Sequence, residues 1–323
     1  MEEEKKLYPL RLSPLESRYG WGSESFLLAD LGYRDSLVRE GWLAANALSE
    51  VMETFLDRLV GEDVFDWFGQ QFPFQVKSVR VRGRMPLRVH PDDDTARPRY
   101  DALGKEKFWY VTRAGRDACV LAGVERPCDA STFYLACLEN RVESLLRHIP
   151  VQTGSWLHIP AGVPHAALGD LDLVEVSESS GLDFWLCSWG EELSSEEFDP
   201  SMSLTDALDF VRLTPGGVGV GKPGQCALTL PQFSVHLLHL GGPQPVRLTP
   251  DSSCRGYVCV QGRCRVRALM ADGLDGAWSL GPEEVLLVPA ECASYVLEPE
   301  GGPAEVLEIL VEHRTERDPY ING

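Results

Sequence analysis

Two histidines and a group of cations lie where a small polar site would need them. His90 closes a short alternating run, Leu87-Arg88-Val89-His90, in which Arg88 and His90 share parity and so one face of a strand. Pro91 and the aspartates Asp92, Asp93 and Asp94 follow as a predicted solvated turn. A second strand, opened by Gly104 and Lys105 and closed by Trp109 and Tyr110, sets Lys105 and Lys107 on one face and Glu106 on the other. A third segment, Gly154 to His165 (G-S-W-L-H-I-P-A-G-V-P-H), supplies the second histidine. Imidazoles bind metals or carry protons near neutral pH. Guanidinium and amine groups grip anions or polarise a carbonyl. The chemistry on offer is work on a small, oxygen-rich ligand, with or without a metal ion.

The elements that must position these residues follow from periodicity. Val79 and Val81 alternate with Arg80 and Arg82, a two-residue period that marks a half-buried strand. Between Trp42 and Val60, Leu48, Val51, Met52, Phe55, Leu56 and Leu59 recur at helical steps and predict an amphipathic helix packed on a sheet. Ser131 to His148 reads as a second helix, with Leu135, Leu138, Val142, Leu145 and Leu146 on one side. Residues 190–202, acidic and rich in Ser, read as a linker, and Ser203 is placed to start a helix running to about Leu213. From Cys226 onward, short strands alternate with turns at Gly241-Gly242, Gly262, Asp272-Gly273 and Gly301-Gly302, the spacing of a β-sandwich or small barrel.

Composition narrows the class. A chain of 323 residues accommodates two domains. Its net charge of −19 argues against nucleic-acid and anionic-membrane surfaces, while local cations still admit a small anionic ligand. Nine cysteines without a C-x-x-C pair indicate neither a disulfide framework nor a zinc knuckle. No long apolar run spans a bilayer and the N-terminus lacks the apolar core of a signal peptide, so a reduced, cytoplasmic protein is expected. His158, seven residues before His165 on a strand, is expected to face the other way or to satisfy a core hydrogen bond, and His148, His236, His239 and His313 have no partner pattern and read as structural. Trp109, Tyr110 and Trp185 have two open roles, stacking on a sugar ring or packing in the core.

The third segment fits G-x5-P-x-G-x2-H through Gly154, Pro160, Gly162 and His165, and this is similar to the second motif of the cupin superfamily. With V-H-P-D-D (Val89 to Asp93) and G-K-x-x-x-W-Y (Gly104 to Tyr110), the chain from about Tyr19 to Gly190 resembles the type I phosphomannose isomerases, which interconvert mannose 6-phosphate and fructose 6-phosphate. The resemblance implies a mostly β protein of two cupin (double-stranded β-helix, or jelly-roll) domains, with helices decorating the first. Residues 1–195 would form the first cupin and carry the site, 196–222 a linker with a short helix, and 223–323 a second cupin-like domain. At Pro289-Ala-Glu-Cys292 that second domain lacks the motif histidine, so no metal site is expected there.

What the family implies for the site is carried over residue by residue. Its zinc ligands are a glutamine, two histidines and a glutamate; the histidines match His90 and His165, while the glutamine position is Arg88 and the glutamate position Lys107. Its active-site lysine matches Lys105, and its catalytic arginine falls on Trp185. A guanidinium has no lone pair to give a metal. Each fixed cation about 5 Å from a divalent ion would cost roughly 7 kcal/mol at an effective dielectric of 20. Zinc on His90 and His165 is therefore expected only if a carboxylate such as Glu175 or Glu178 reaches in. Two roles stay open for Arg88 and Lys107. They replace the charge of the ion in catalysis alongside Lys105, with Trp109, Glu175 and Trp185 around a sugar phosphate, or they fill the old cavity and pair with acids in a non-catalytic sugar-phosphate binder. A third reading, an oxygen-using metal cupin, lacks the carboxylate and third histidine it needs.

Overall fold

The computed structural model describes residues 5–191, 202–249, 251–269 and 275–312. It is mostly β and divides into two compact units, one of residues 16–25 and 77–225, the other of 5–15, 26–76 and the described residues from 226 onward. The division does not follow the chain order expected from sequence, in which 1–195 stand together. Backbone pairing is the reason. In the second unit Leu10–Arg11 pairs with the strand Val285–Val288, and the amides of Cys254, Ala290 and Glu291 donate to the carbonyls of Val60, Leu59 and Arg58 at 3.0, 2.9 and 3.0 Å. The helices of this region therefore group with the C-terminal strands. That unit holds a six-stranded and a four-stranded antiparallel sheet.

Three predicted helices are shorter than their apolar periodicity suggests. Leu48–Phe55 ends at Leu56, whose φ of 46° breaks the 42–60 stripe before Asp57–Val60 and Glu62–Phe68 continue it. Ala130–Leu138 ends at Glu139 and Asn140, the latter left-handed at φ 54°, and residues 146–150 form a strand instead. Leu135 and Leu138 are consequently exposed, not on a buried stripe. The helix after Ser203 covers only Leu204–Ala207, although the Ser203 hydroxyl does accept from the Asp206 amide, and the predicted linker lies largely outside the described residues. The aspartate turn is in fact a helix, Asp93–Tyr100, because the Asp92 carboxylate accepts from the Thr95 amide at 3.0 Å and caps it.

The first unit is built around one 14-residue strand, His165–Glu178. Its first four residues pair with Cys119–Ala122, and Leu171–Ser177 pair with Lys107–Ala114. The change of partner falls at Gly169, where φ is +89° and an added Cβ would stand 2.9 Å from the Asp117 carbonyl oxygen. One strand thereby serves both layers of a jelly-roll, and a side chain at the bend would jam it.

Inside, three neighbouring strands repeat one pattern. Val81, Val79 and Lys77 share a face of Phe74–Arg84; Val111, Trp109 and Lys107 share one of Lys107–Ala114; Leu171, Leu173 and Glu175 face them from the long strand. The apolar members form a buried core with Leu157, Ile159 and Ala167. The same parity that builds the core carries it, at one end, into charged residues. Gly169→Ala is expected to destabilise the protein by about 1–3 kcal/mol, from φ strain and the carbonyl contact, measurable as a lowered midpoint in urea.

Candidate active site

At that end of the core the structure brings together Arg88, His90, Lys105, Lys107, His165 and Glu175, all at most 2% exposed. Arg88 lies in the three-residue strand Leu87–Val89, directly opposite His165 on one side and Trp185 on the other. Lys105 precedes the strand rather than lying in it, with its amide donating to the Pro91 carbonyl at 3.0 Å. The loop before His165 is tied to its partner by Gly162, whose amide donates to the His90 carbonyl at 2.7 Å. Gly162 has φ +80°, and a Cβ there would meet the Phe210 carbonyl oxygen at 2.8 Å.

The charges form a chain. The Arg88 guanidinium donates to Glu24 Oε1 at 2.8 Å; Glu24 Oε2 lies 3.8 Å from Lys77 Nζ; Lys77 lies 3.7 Å from Glu175 Oε1; Lys107 donates to Glu175 Oε2 at 3.2 Å. The Trp109 indole also donates to Glu175 Oε2, at 2.7 Å. Trp109 is fully buried and braces this carboxylate. Trp185 stacks its ring 4.5 Å from the Arg88 guanidinium carbon, a cation–π contact that fixes the arginine. Burial alone would raise Glu24, Glu175 and the nearby Asp183, but the adjoining cations hold all three below the usual carboxylate range. Glu178 is different. Burial and the neighbouring Asp93 and Glu106 carboxylates push it well above that range, and it accepts from the Glu106 amide at 2.7 Å. Glu175, and not Glu178, therefore joins the cations. Glu106 points away, to His158 Nε2 at 2.7 Å.

Both imidazoles are held by Nδ1. His90 Nδ1 lies 2.7 Å from the Leu182 carbonyl oxygen and 3.2 Å from Asp183 Oδ1, and His165 Nδ1 lies 2.9 Å from the Val163 carbonyl oxygen. Burial, then the Lys107 charge, keeps both rings neutral, His165 pushed down to about 3. Each ring thus donates from Nδ1 and leaves a lone pair on Nε2.

Lys105 is the odd member. Among the described residues its amine has no hydrogen bond and no ion pair within 4 Å, and burial brings its pKa down to about 7 despite Asp183. Counting Lys77, Arg88, Lys105 and Lys107 against Glu24, Glu175 and Asp183, protonated Lys105 is a positive charge in excess. Glu24, Lys77 and Asp183 were not singled out from sequence. Lys77 was accessible by parity, two residues before Val79 on the inward face; Glu24 and Asp183 become visible only once strands distant in sequence are paired. Among the described residues no group of three or more His, Cys, Asp or Glu is arranged to hold a metal ion, and no helix is long and apolar enough to cross a membrane.

A jelly-roll interior with two inward histidines, one of them on the strand after a P-x-G-x2-H turn, is a cupin-type fold. No protein-family model matches the chain. The mannose 6-phosphate isomerase of Bacillus subtilis has the same fold, with a TM-score of 0.77 over 94% of this chain and 99% of that one at 17% identity. A mutant phosphomannose isomerase from Salmonella typhimurium matches at 0.70 over 95% and 100%, at 13% identity. In sequence, 197 residues are 26% identical to the mannose-6-phosphate isomerase ManA of Bacillus subtilis, covering 55% of this chain and 60% of that protein. The chain spans about six-tenths of the length of the curated relatives it matches. The chain is thus similar in sequence over part of its length, and in fold over nearly all of it, to mannose-6-phosphate isomerases.

Two stability measurements check the charge chain. Glu175→Gln strands Lys77 and Lys107 and is expected to lower stability by about 3–5 kcal/mol in denaturant melts. For Lys105 the sign is opposite. Its folded pKa of about 7 lies below the ordinary 10.5, so between those values the unfolded chain binds a proton that the native protein does not, and stability gains from this group as pH rises. Lys105→Met is expected to raise stability at pH 6 by roughly 3–5 kcal/mol, with the gain shrinking toward pH 10.

Proposed function

We propose that this protein is a cytoplasmic sugar-phosphate isomerase of the mannose-6-phosphate type, working as an aldose–ketose isomerase in which Arg88 and Lys107 occupy two of the family's metal-ligand positions. The observation that carries this reading is Lys105, unpaired among the described residues and buried at a stability cost beside two further cations and two neutral histidines. A buried amine retained against stability is what a functional site maintains.

Isomerisation through an enediol moves a proton between adjacent carbons and develops negative charge on the carbonyl oxygen. Lys105, with a pKa near 7, suits the base that takes the α-proton and returns it to the neighbouring carbon. Lys107 and Arg88, held by Glu175 and Glu24, present fixed positive charge to the oxygen without reorganising. Trp185 keeps the guanidinium in place. A divalent ion does not suit this donor set. His90 and His165 each offer one lone pair, Arg88 and Lys107 offer donors only, and Glu175 is engaged by two lysines and an indole. One feature favours the non-catalytic sugar-phosphate binder instead: Arg88 and Lys107 are already neutralised by resident carboxylates.

A coupled assay separates the two. With mannose 6-phosphate and a chelator present, the isomerase reading predicts turnover that Lys105→Met lowers by at least about 100-fold. Binding of the sugar phosphate without turnover identifies the binder. The double substitution Arg88→Gln with Lys107→Glu is expected to create one-to-one zinc binding, seen by titration with metal analysis; no gain in zinc affinity would show that these positions do not correspond to the family's ligands.

A further inference from the structure

Among the described residues six buried polar atoms of the site have no hydrogen-bond partner. Two are carboxylate oxygens that already face a positive or donating group, Glu175 Oε1 at 3.7 Å from Lys77 Nζ and Asp183 Oδ1 at 3.2 Å from His90 Nδ1. The other four face none: His90 Nε2, His165 Nε2, Arg88 Nε and Trp21 Nε1. They are neighbours. Arg88 and His165 are paired across adjacent strands, the two imidazole centroids lie 5.1 Å apart, and the Arg88 guanidinium stands 5.5 Å over the Trp21 ring. Burying such groups unsatisfied is unfavourable, and native proteins keep the exceptions where something completes them.

The kinds of atom narrow what completes them. With each Nδ1 hydrogen committed to a backbone carbonyl, the two Nε2 atoms are acceptors, whereas Arg88 Nε and Trp21 Nε1 are donors. A metal ion uses the acceptors and is repelled by the arginine. A phosphate uses the donors and leaves the imidazoles unfilled. A hydroxyl group both donates and accepts, so a pair of hydroxyls fills all four.

We propose that His90 and His165 form a diol-reading pair, each accepting a hydrogen bond from one of two neighbouring hydroxyls of the ligand, while Arg88 Nε and Trp21 Nε1 donate to the same oxygens. The assignment rests on the reading of this cluster as a sugar-phosphate site and names the part of the ligand held there: its hydroxylated carbons, not its phosphate. The histidines that would hold a metal elsewhere in the family here serve as sugar-binding residues.

The test is a ring-nitrogen NMR spectrum of the full-length protein labelled with 15N-histidine, recorded in chelator with mannose 6-phosphate, with mannose and with inorganic phosphate. The expected result is that the Nε2 signals of His90 and His165 move with mannose 6-phosphate or with mannose, and not with inorganic phosphate. His165→Leu should weaken sugar binding about tenfold or more, and His165→Gln, which keeps an acceptor at the same reach, should retain most of it. Nε2 signals that respond to none of the three, or to inorganic phosphate alone, overturn the assignment. So does stoichiometric movement of both signals with zinc in the absence of chelator. If mannose moves both signals but no hexose phosphate is isomerised, the diol pair stands and the isomerase reading falls. If mannose 6-phosphate is isomerised while both signals stay still, the reverse holds.

Discussion

The interaction on which the site depends is the buried run of alternating charges from Arg88 through Glu24, Lys77 and Glu175 to Lys107. Long cationic side chains are almost never fully buried unless paired, and here pairing is what permits them to stand in an apolar interior. Each carboxylate serves two cations, so no link is independent of the next. Rigidity follows from that sharing, together with the Trp109 indole on Glu175 and the Trp185 ring on Arg88. The arrangement fixes positive charge at a set position, and among the described residues it leaves the Lys105 amine outside the pairing.

The fold supplies this in an economical way. Strands with a two-residue period point every second side chain inward, and the same faces that bury Val79, Trp109 and Leu173 deliver Lys77, Lys107 and Glu175 one step further along. Apolar core and charged site are therefore one continuous surface, separated only by position along the strands. The turn at Gly162 and the bend at Gly169 place the long strand so that His165 meets Arg88.

Much of this was legible in the sequence, and the parts that were not share a cause. Strand parity put Arg88 and His90 together, because a period of two needs only neighbouring residues, and it set Lys107 opposite Glu106, although Lys105 reaches the same cluster from the loop before the strand. The cupin turn was readable from Pro160, Gly162 and His165 for the same local reason. Glu24 and Asp183 were not readable, since their place depends on pairing between strands far apart in the chain. Helix lengths were overestimated where apolar spacing continued past a left-handed residue, at Leu56 and Asn140. The Trp109–Glu175 hydrogen bond, between residues 66 apart in the chain, is likewise a long-range contact that parity does not reveal.

The central claim is that resident cations occupy the place of a metal. The most direct measurement is a zinc titration of the native protein, followed calorimetrically after chelator treatment, with metal content determined on the same sample. The account predicts no stoichiometric binding at neutral pH. One tightly bound zinc per chain, lost in His90→Ala, would contradict it.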